Sequence, residues 1–342
     1  MITISEDLTR GAWDELSFHF APQIVLSTAL RLGIFAAIAK GAKSVEGIAS
    51  ATESSPRGMR MILNCIAAMG LLDKDRERYS LNNLSRQYFV PSSEDYIGSL
   101  FTCSDQLMKL WLTLPEAVKT GRPRISIFKD AEREGLNTNI ADGLFHAHRV
   151  CAWRLVDILK DEVSSLKEDQ APVKILDVAA GSAVWSIPFA LRYPRAEVAA
   201  IDFAPVLEVA RKYTRRFGVV DRYEFIGGDI REVDFGSGRY DVALLGHICH
   251  SEGSRRSQRL IGKCFQALKK NGLLLIMDHI PDEQRKSAPL PLLLALNALL
   301  GTEEGDTFTL SEYSRWLLEV GFSEARTIRV NGHSPIVLGL KG

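Results

Sequence analysis

Lys174-Ile175-Leu176-Asp177-Val178 runs directly into Ala179-Ala180-Gly181-Ser182-Ala183, and the fold turns on how these ten residues are read. A short apolar run that stops at a cluster of small residues is the pattern of a strand buried on both faces and followed by a tight turn. The pattern recurs at Glu197 to Ile201, Tyr223 to Gly227, Val242 to Leu245 and Leu273 to Met277, with helical segments between. Strands that alternate with helices specify a doubly wound, mostly parallel sheet. Ala325 to Val330 and Pro335 to Leu340 flank Asn331-Gly332, a hairpin dipeptide, so the last strand is predicted to run antiparallel to its neighbour. The expected fold is α/β, with seven strands and a mainly helical front half.

That front half has a different rhythm. Ile24 to Ile38 is apolar on nearly every side, which predicts a helical stretch buried against more than one surface, self-association being one source of the second. Val45 to Ala51, a break at Thr52 to Ser55, Pro56 to Met69 and two short strands around Leu71 and Tyr79 predict a winged helix-turn-helix. Pro56 suits a helix start and Gly70 a helix end. A winged helix raises the possibility of a DNA-binding regulator. Against it, the second helix carries only Arg57 and Arg60 among Met59, Met61, Ile62, Leu63 and Ile66, a composition for packing. A helical region with Trp111, Phe145 and Trp153 follows, and the polar stretch Ser164 to Gln170 reads as a linker. The expected domains are 1–95, 96–165 and 166–342.

A chain of 342 residues exceeds the size at which one core usually keeps growing, in keeping with more than one module. Its 42 Lys and Arg offset 42 Asp and Glu, so no bulk field draws nucleic acid or an acidic membrane. Five scattered cysteines without a C-x-x-C spacing favour a reducing, cytoplasmic setting. Met1 to Arg10 shows no secretory pattern, and the most apolar stretch, Leu290 to Leu300, contains Pro291 and is too short to span a bilayer. No nucleic-acid or membrane partner is expected.

In an open parallel sheet, ligands lie beyond the carboxyl ends of the strands. There the chain carries Asp177 and Gly181 after the first strand, Asp202 after the second and Gly228-Asp229-Ile230 after the third. Gly181 permits close approach of the backbone to a ligand. Asp202 is placed to accept from ribose hydroxyls, and Asp229 to face the exocyclic amine of an adenine. Each alone is equally a helix cap, a turn or a solvated strand end. Together they indicate a nucleoside. The G-x-G-x-x-G loop of a dinucleotide site is absent, because Ala183 and Pro188 stand where further glycines would be sought. A ligand without a pyrophosphate, such as S-adenosylmethionine, fits the single glycine and the terminal hairpin better.

Ile175 to Ile187, Ile201-Asp202, Gly228-Asp229 and Gly246-His247-Ile248-Cys249-His250, together with the winged front half, resemble the caffeate-type and bacterial small-molecule O-methyltransferases. The resemblance covers nearly the whole chain. It implies a class I methyltransferase fold, a homodimer formed through the front half, and S-adenosylmethionine held by Asp177, Gly181, Asp202, Asp229, Ile230 and His247. It further implies that His250 is the general base, that Asp278 fixes its tautomer, and that no metal takes part. A neutral imidazole titrates near physiological pH and is chemically suited to removing a hydroxyl proton. The acceptor is then expected to be a small aromatic, polyketide or isoprenoid-like molecule, lined by Leu290 to Leu300, Trp111, Phe145, Arg149 and Thr307.

The sequence also departs from that pattern. Ala183 replaces the last glycine of the cofactor loop, so its methyl faces either the ligand or a strained backbone position. Ser251-Glu252 replaces Asp-Trp after the histidine, removing an aromatic near the adenine; Ser251 can still cap the next helix, but Glu252 cannot replace that packing. Thr307, beside Asp306, stands in place of the second catalytic acid, and Arg149 in place of a methionine. These changes admit an alternative enzyme that binds the cofactor but promotes cyclisation, decarboxylation or hydroxylation. His247 with His250, Asp278 or His279 is a weaker alternative, as a metal site.

Overall fold

The computed structural model describes residues 17–102, 104–123, 132–162, 172–287, 289–330 and 334–342. The chain forms two compact units, divided between Met108 and Lys109.

In the first unit the apolar stretch predicted from Ile24 to Ile38 is two helices, Ala21–Arg31 and Ile34–Ala39. Gly33, at φ +72°, breaks the run by taking a left-handed conformation that side chains resist. Helices Val45–Ala51 and Pro56–Ala68 follow, each with a serine accepting from the third backbone N–H of its first turn, Ser44 from Gly47 and Ser55 from Gly58. Pro56 opens the second helix, and Gly70 at φ +73° ends it. The wing consists of β1 (Asp73–Asp75) and β2 (Arg78–Ser80), paired antiparallel, so its first strand starts two residues beyond Leu71. Met59, Leu63 and Ile66 turn inward to a core with Ile34, Phe35 and Tyr79.

The second unit holds the sheet. Its strands are β3 (Lys174–Val178), β4 (Glu197–Asp202), β5 (Tyr223–Gly227), β6 (Tyr240–Gly246), β7 (Leu268–Met277), β8 (Glu324–Ile328) and β9 (Ile336–Leu340). The order across the sheet is β5-β4-β3-β6-β7-β9-β8, with β9 antiparallel to both neighbours and the other pairings parallel. The antiparallel last strand is as expected. The Asn331-Gly332 turn and the Ser164 to Gln170 linker lie outside the described residues.

Side chains that alternate along a strand divide between the two faces. Ile175, Val242, Leu244 and Leu275 face a core closed by helices Glu132–Glu162, Ile187–Arg192 and Ala204–Arg216. Leu176, Val178, Leu245 and Ile276 face the other, closed by helices Cys249–Ala267 and Leu310–Val320. Burial on both sides explains why the strands read as continuous apolar runs. In register, Val178 lies beside Ile201 and Leu245, and Gly246 beside Met277, so the strand ends form one rim. The chain reverses direction across the sheet at β3, which opens a crevice at that rim. Among the described residues, no helix is long and apolar enough to cross a membrane.

Candidate active site

β6 ends at Gly246 and β7 at Met277, side by side, and each is followed at once by chemistry-bearing residues. The His247 N–H donates to the Met277 carbonyl at 2.7 Å, with His247 at φ +55°, and helix Cys249–Ala267 begins two residues later. His250 lies in its first turn. Asp278 grips it at two points: Oδ1 is 2.7 Å from His250 Nδ1, and Oδ2 accepts the His250 backbone N–H at 3.0 Å. One carboxylate therefore both orients an imidazole and caps a helix. Asp278 is 1% exposed and also accepts from the Tyr313 hydroxyl at 3.2 Å and the His279 N–H at 2.8 Å.

With Asp278 ionised, Nδ1 is the donor, which leaves Nε2 as the basic nitrogen of the neutral ring. Burial disfavours the imidazolium, but the Asp278 charge and hydrogen bond outweigh it, so His250 titrates above the usual histidine range. Burial likewise pushes Asp278 up, and the His250 charge and the donors around the carboxylate carry it below the usual carboxylate range.

Beside this pair, Asp202, Phe203, Asp229, Ile230, Ser251 and Glu252 line a cleft along the strand tips. Asp202 Oδ2 accepts the Gly181 N–H at 2.9 Å and Oδ1 the Phe203 N–H at 2.8 Å. Burial pushes Asp202 up to about 6, against the lowering by those two bonds. Gly181 sits at φ +57°, and a side chain there would meet only Ala141 Cβ, at 3.9 Å. A narrow backbone approach, an oriented carboxylate with lone pairs to spare and the exposed aromatic face of Phe203 together fit a nucleoside.

The remaining sequence-derived residues are distributed differently. Asp177 lies 2% exposed beneath the loop, accepting from Ser186 Oγ at 2.5 Å, and burial pushes it up to about 7. Asp229 lines the cleft, but Arg231 clamps its carboxylate with Nε at 2.8 and 3.0 Å and its backbone N–H at 2.9 Å. Ile230 is buried at the cleft edge. His247 stacks on His148 at 4.2 Å and approaches His279 at 4.9 Å, outside the cleft lining. Among the described residues no three side chains gather as metal ligands.

Phe145 is fully buried, stacked on Tyr213 at 3.7 Å with Trp153 and Phe217 nearby, so it builds core and does not line the cleft beside His250. Arg149, one turn further along the same helix, faces the Tyr213 side, where its charge acts on that hydroxyl. His148 of this helix lies between Trp185 and His247, and Ala141 lies beside the Gly181 position. Sequence alone does not say which face of the helix meets the strand rim. Trp111 packs with Leu110, Ala117 and Leu300, next to helix Pro289–Gly301. Thr307 is fully buried, its Oγ1 without a hydrogen-bond partner among the described residues, while Asp306 N–H donates to the His250 carbonyl.

The capping expectation is corrected. Helix Cys249–Ala267 has Ile248 at its cap position with no side-chain cap, so Ser251 lies inside the first turn and Asp278 does the capping. Of the two alternatives for Ala183, the strained backbone is the one found: it is at φ +58° and 0% exposed, its methyl among the core residues.

Residues 111–323 match the family described as the O-methyltransferase domain, and residues 14–91 match the O-methyltransferase dimerisation domain. The chain is 27% identical over 336 residues to the tetracenomycin polyketide synthesis 8-O-methyl transferase TcmO of Streptomyces glaucescens, covering 97% of each. It is 26% identical to the 3-hydroxy-5-methyl-1-naphthoate 3-O-methyltransferase of Streptomyces sahachiroi, covering 99% of this chain and 95% of that one. The solved structure of PigF with SAH, a protein also known from Serratia sp. strain ATCC 39006, shares the fold: TM-score 0.85, 22% identity, 98% of this chain and 100% of that one.

Proposed function

The chain belongs to the O-methyltransferase family, and on that premise we propose that it methylates a hydroxyl of a small, largely apolar secondary metabolite, with His250 as general base. It is an S-adenosylmethionine-dependent O-methyltransferase. The observation that carries the finer reading is the two-point grip of Asp278 on His250.

S-adenosylmethionine, when bound, supplies a methyl group already activated by its sulfonium. Gly181, Asp202 and the wall formed by Phe203 and Ile230 are the residues that would hold its nucleoside, with Asp177 supporting the loop from below through Ser186. His250 Nε2 accepts the substrate hydroxyl proton as the oxygen becomes a nucleophile. Asp278 holds the ring in place and stabilises the imidazolium that forms. Holding two reactants in line lowers the barrier without further chemical groups from the protein.

The acceptor class follows from two supports. Relatives of this length act, by their names, in tetracenomycin polyketide synthesis and on a naphthoate. Helix Pro289–Gly301 brings an almost wholly apolar surface to the sequence segment between Asp278 and Thr307, with Leu290 and Leu293 exposed. An aromatic or polyketide hydroxyl suits such a wall. We further propose a homodimer formed through the front unit, as the dimerisation-domain match suggests.

His250→Ala tests the base. Turnover of a phenolic or polyketide acceptor is expected to fall by about 10²–10⁴-fold while calorimetric affinity for S-adenosylhomocysteine changes by less than about twofold. Normal turnover in the variant removes the proposed base. Product one methyl group heavier than substrate, with S-adenosylhomocysteine released, distinguishes methylation from a non-methylating reaction.

A further inference from the structure

Glu252 lies in the first turn of helix Cys249–Ala267, and its surroundings are those of an acceptor awaiting a donor. It lines the cleft together with Asp202 and Phe203, yet the residue is only 6% exposed. Its Oε2 is sealed from solvent and has no hydrogen-bond partner among the described residues. Buried acceptors without partners are rare in folded proteins because the lost hydration is not recovered. Helix Cys249–Ala267 fixes the backbone that carries the side chain, since Glu252 N–H donates to the Ile248 carbonyl at 3.1 Å and the following Gly253 packs against the Glu304 backbone.

Asp229, the residue whose position after β5 pointed to the adenine amine, is already engaged. Arg231 bonds both of its oxygens through Nε, its Nη2 adds a second donor at Oδ2, and its backbone N–H a third at Oδ1. These bonds hold Asp229 below the usual carboxylate range despite its partial burial. A carboxylate so saturated has little left to offer a base edge. Glu252 has the opposite balance, with burial raising it against the pull of Arg231 and Arg256.

We propose that Glu252 reads the base of the cofactor, its carboxylate accepting a hydrogen bond from the exocyclic amine of adenine. The assignment rests on the reading that the nucleoside of S-adenosylmethionine lies in this cleft. It goes further in naming which side chain selects the purine. An amine at the 6-position supplies the missing donor, whereas a 6-oxo group sets two acceptors against each other, so the site discriminates by an unpaired, repelled group.

The test is calorimetric titration of the full-length protein with S-adenosylhomocysteine and with its 6-oxo analogue, S-inosylhomocysteine. The unaltered protein is expected to prefer the adenine form by about 100-fold or more. Glu252→Gln keeps the shape and adds an N–H donor, so it is expected to bind the 6-oxo analogue about 10-fold more tightly than the unaltered protein does, while losing affinity for the adenine form. Asp229→Asn is expected to leave the ratio of the two affinities unchanged. A structural role for Glu252 would weaken both ligands equally, and that result overturns the proposal. A collapse of the ratio in Asp229→Asn instead assigns the reading to Asp229 and overturns it too. Failure of the unaltered protein to bind S-adenosylhomocysteine overturns the cleft assignment itself, whereas binding with an unchanged ratio in Glu252→Gln overturns only the role of Glu252.

Discussion

The pairing of His250 with Asp278 ties turnover and stability to pH in a definite direction. His250 titrates above the ordinary 6.5 because Asp278 outweighs the effect of burial. Its contribution to stability is therefore complete below the unfolded value and is lost as pH rises through the folded one. The neutral, basic ring appears over that same rise, so kcat should climb along a limb displaced to the alkaline side of an ordinary histidine. Asp278→Asn removes the charge and leaves the burial, and is expected to move the limb to lower pH and to lower its plateau, as read from kcat against pH. At Ala183, a left-handed backbone disfavours any side chain, while the methyl it carries is buried in the core. Relief of strain in Ala183→Gly is opposed by the lost methyl and by added chain entropy, each about 1 kcal/mol. Stability should therefore change by less than about 1 kcal/mol in denaturant unfolding, and affinity for S-adenosylmethionine by less than about twofold. Asp278 directly follows a recognisable strand and His250 lies four residues beyond one, but the roles expected of them came from the family resemblance and not from position alone. Glu252 was legible only as a missing aromatic, since its value depends on Arg231 occupying Asp229.

The wall of the cleft opposite the strand tips depends on how one helix begins. Helix Cys249–Ala267 bends at Gly253, which takes φ +76° and ψ +170°, a region essentially closed to other residues. A side chain there would lie 2.2 Å from the Glu304 carbonyl, and one at Gly305 would lie 2.7 Å from the His250 carbonyl. The two glycines let the segment from Thr302 to Asp306 lie directly on the turn that carries His250 and Glu252. Gly253→Ala is expected to destabilise the protein by about 2 kcal/mol or more, measured as a lower denaturant midpoint, and to weaken S-adenosylmethionine binding because Thr302 and Glu303 line the same cleft. Unchanged stability would mean that the segment moves aside freely. Neither glycine announces this in sequence, for the backbone atoms that close on them, the Glu304 and His250 carbonyls, lie some fifty residues distant along the chain.

For the whole molecule, the front unit leaves Phe18, Phe20, Ile24 and Leu32 exposed near its first helix, more apolar surface in one short stretch than a monomer needs. Phe20→Asp combined with Ile24→Asp is expected to convert a dimer to a monomer in sedimentation velocity, and a wild-type protein that sediments as a monomer would remove the proposed assembly. The sheet itself was decided by the sequence, because strands buried on both faces must be continuously apolar, and most of the parallel strands are separated by a helical segment, although β5 and β6 are joined without one. The strand-end positions of Asp202, His250 and Asp278 came with it, since the topology of a doubly wound sheet brings those ends to one rim. Tertiary structure alone decided which side chains face that rim from elsewhere. Phe145 turns into the core and His148 toward the site region, Asp229 is taken by Arg231, and Glu252 is enclosed without a donor. Those outcomes depend on helix rotation and on pairings across space, to which local periodicity is blind.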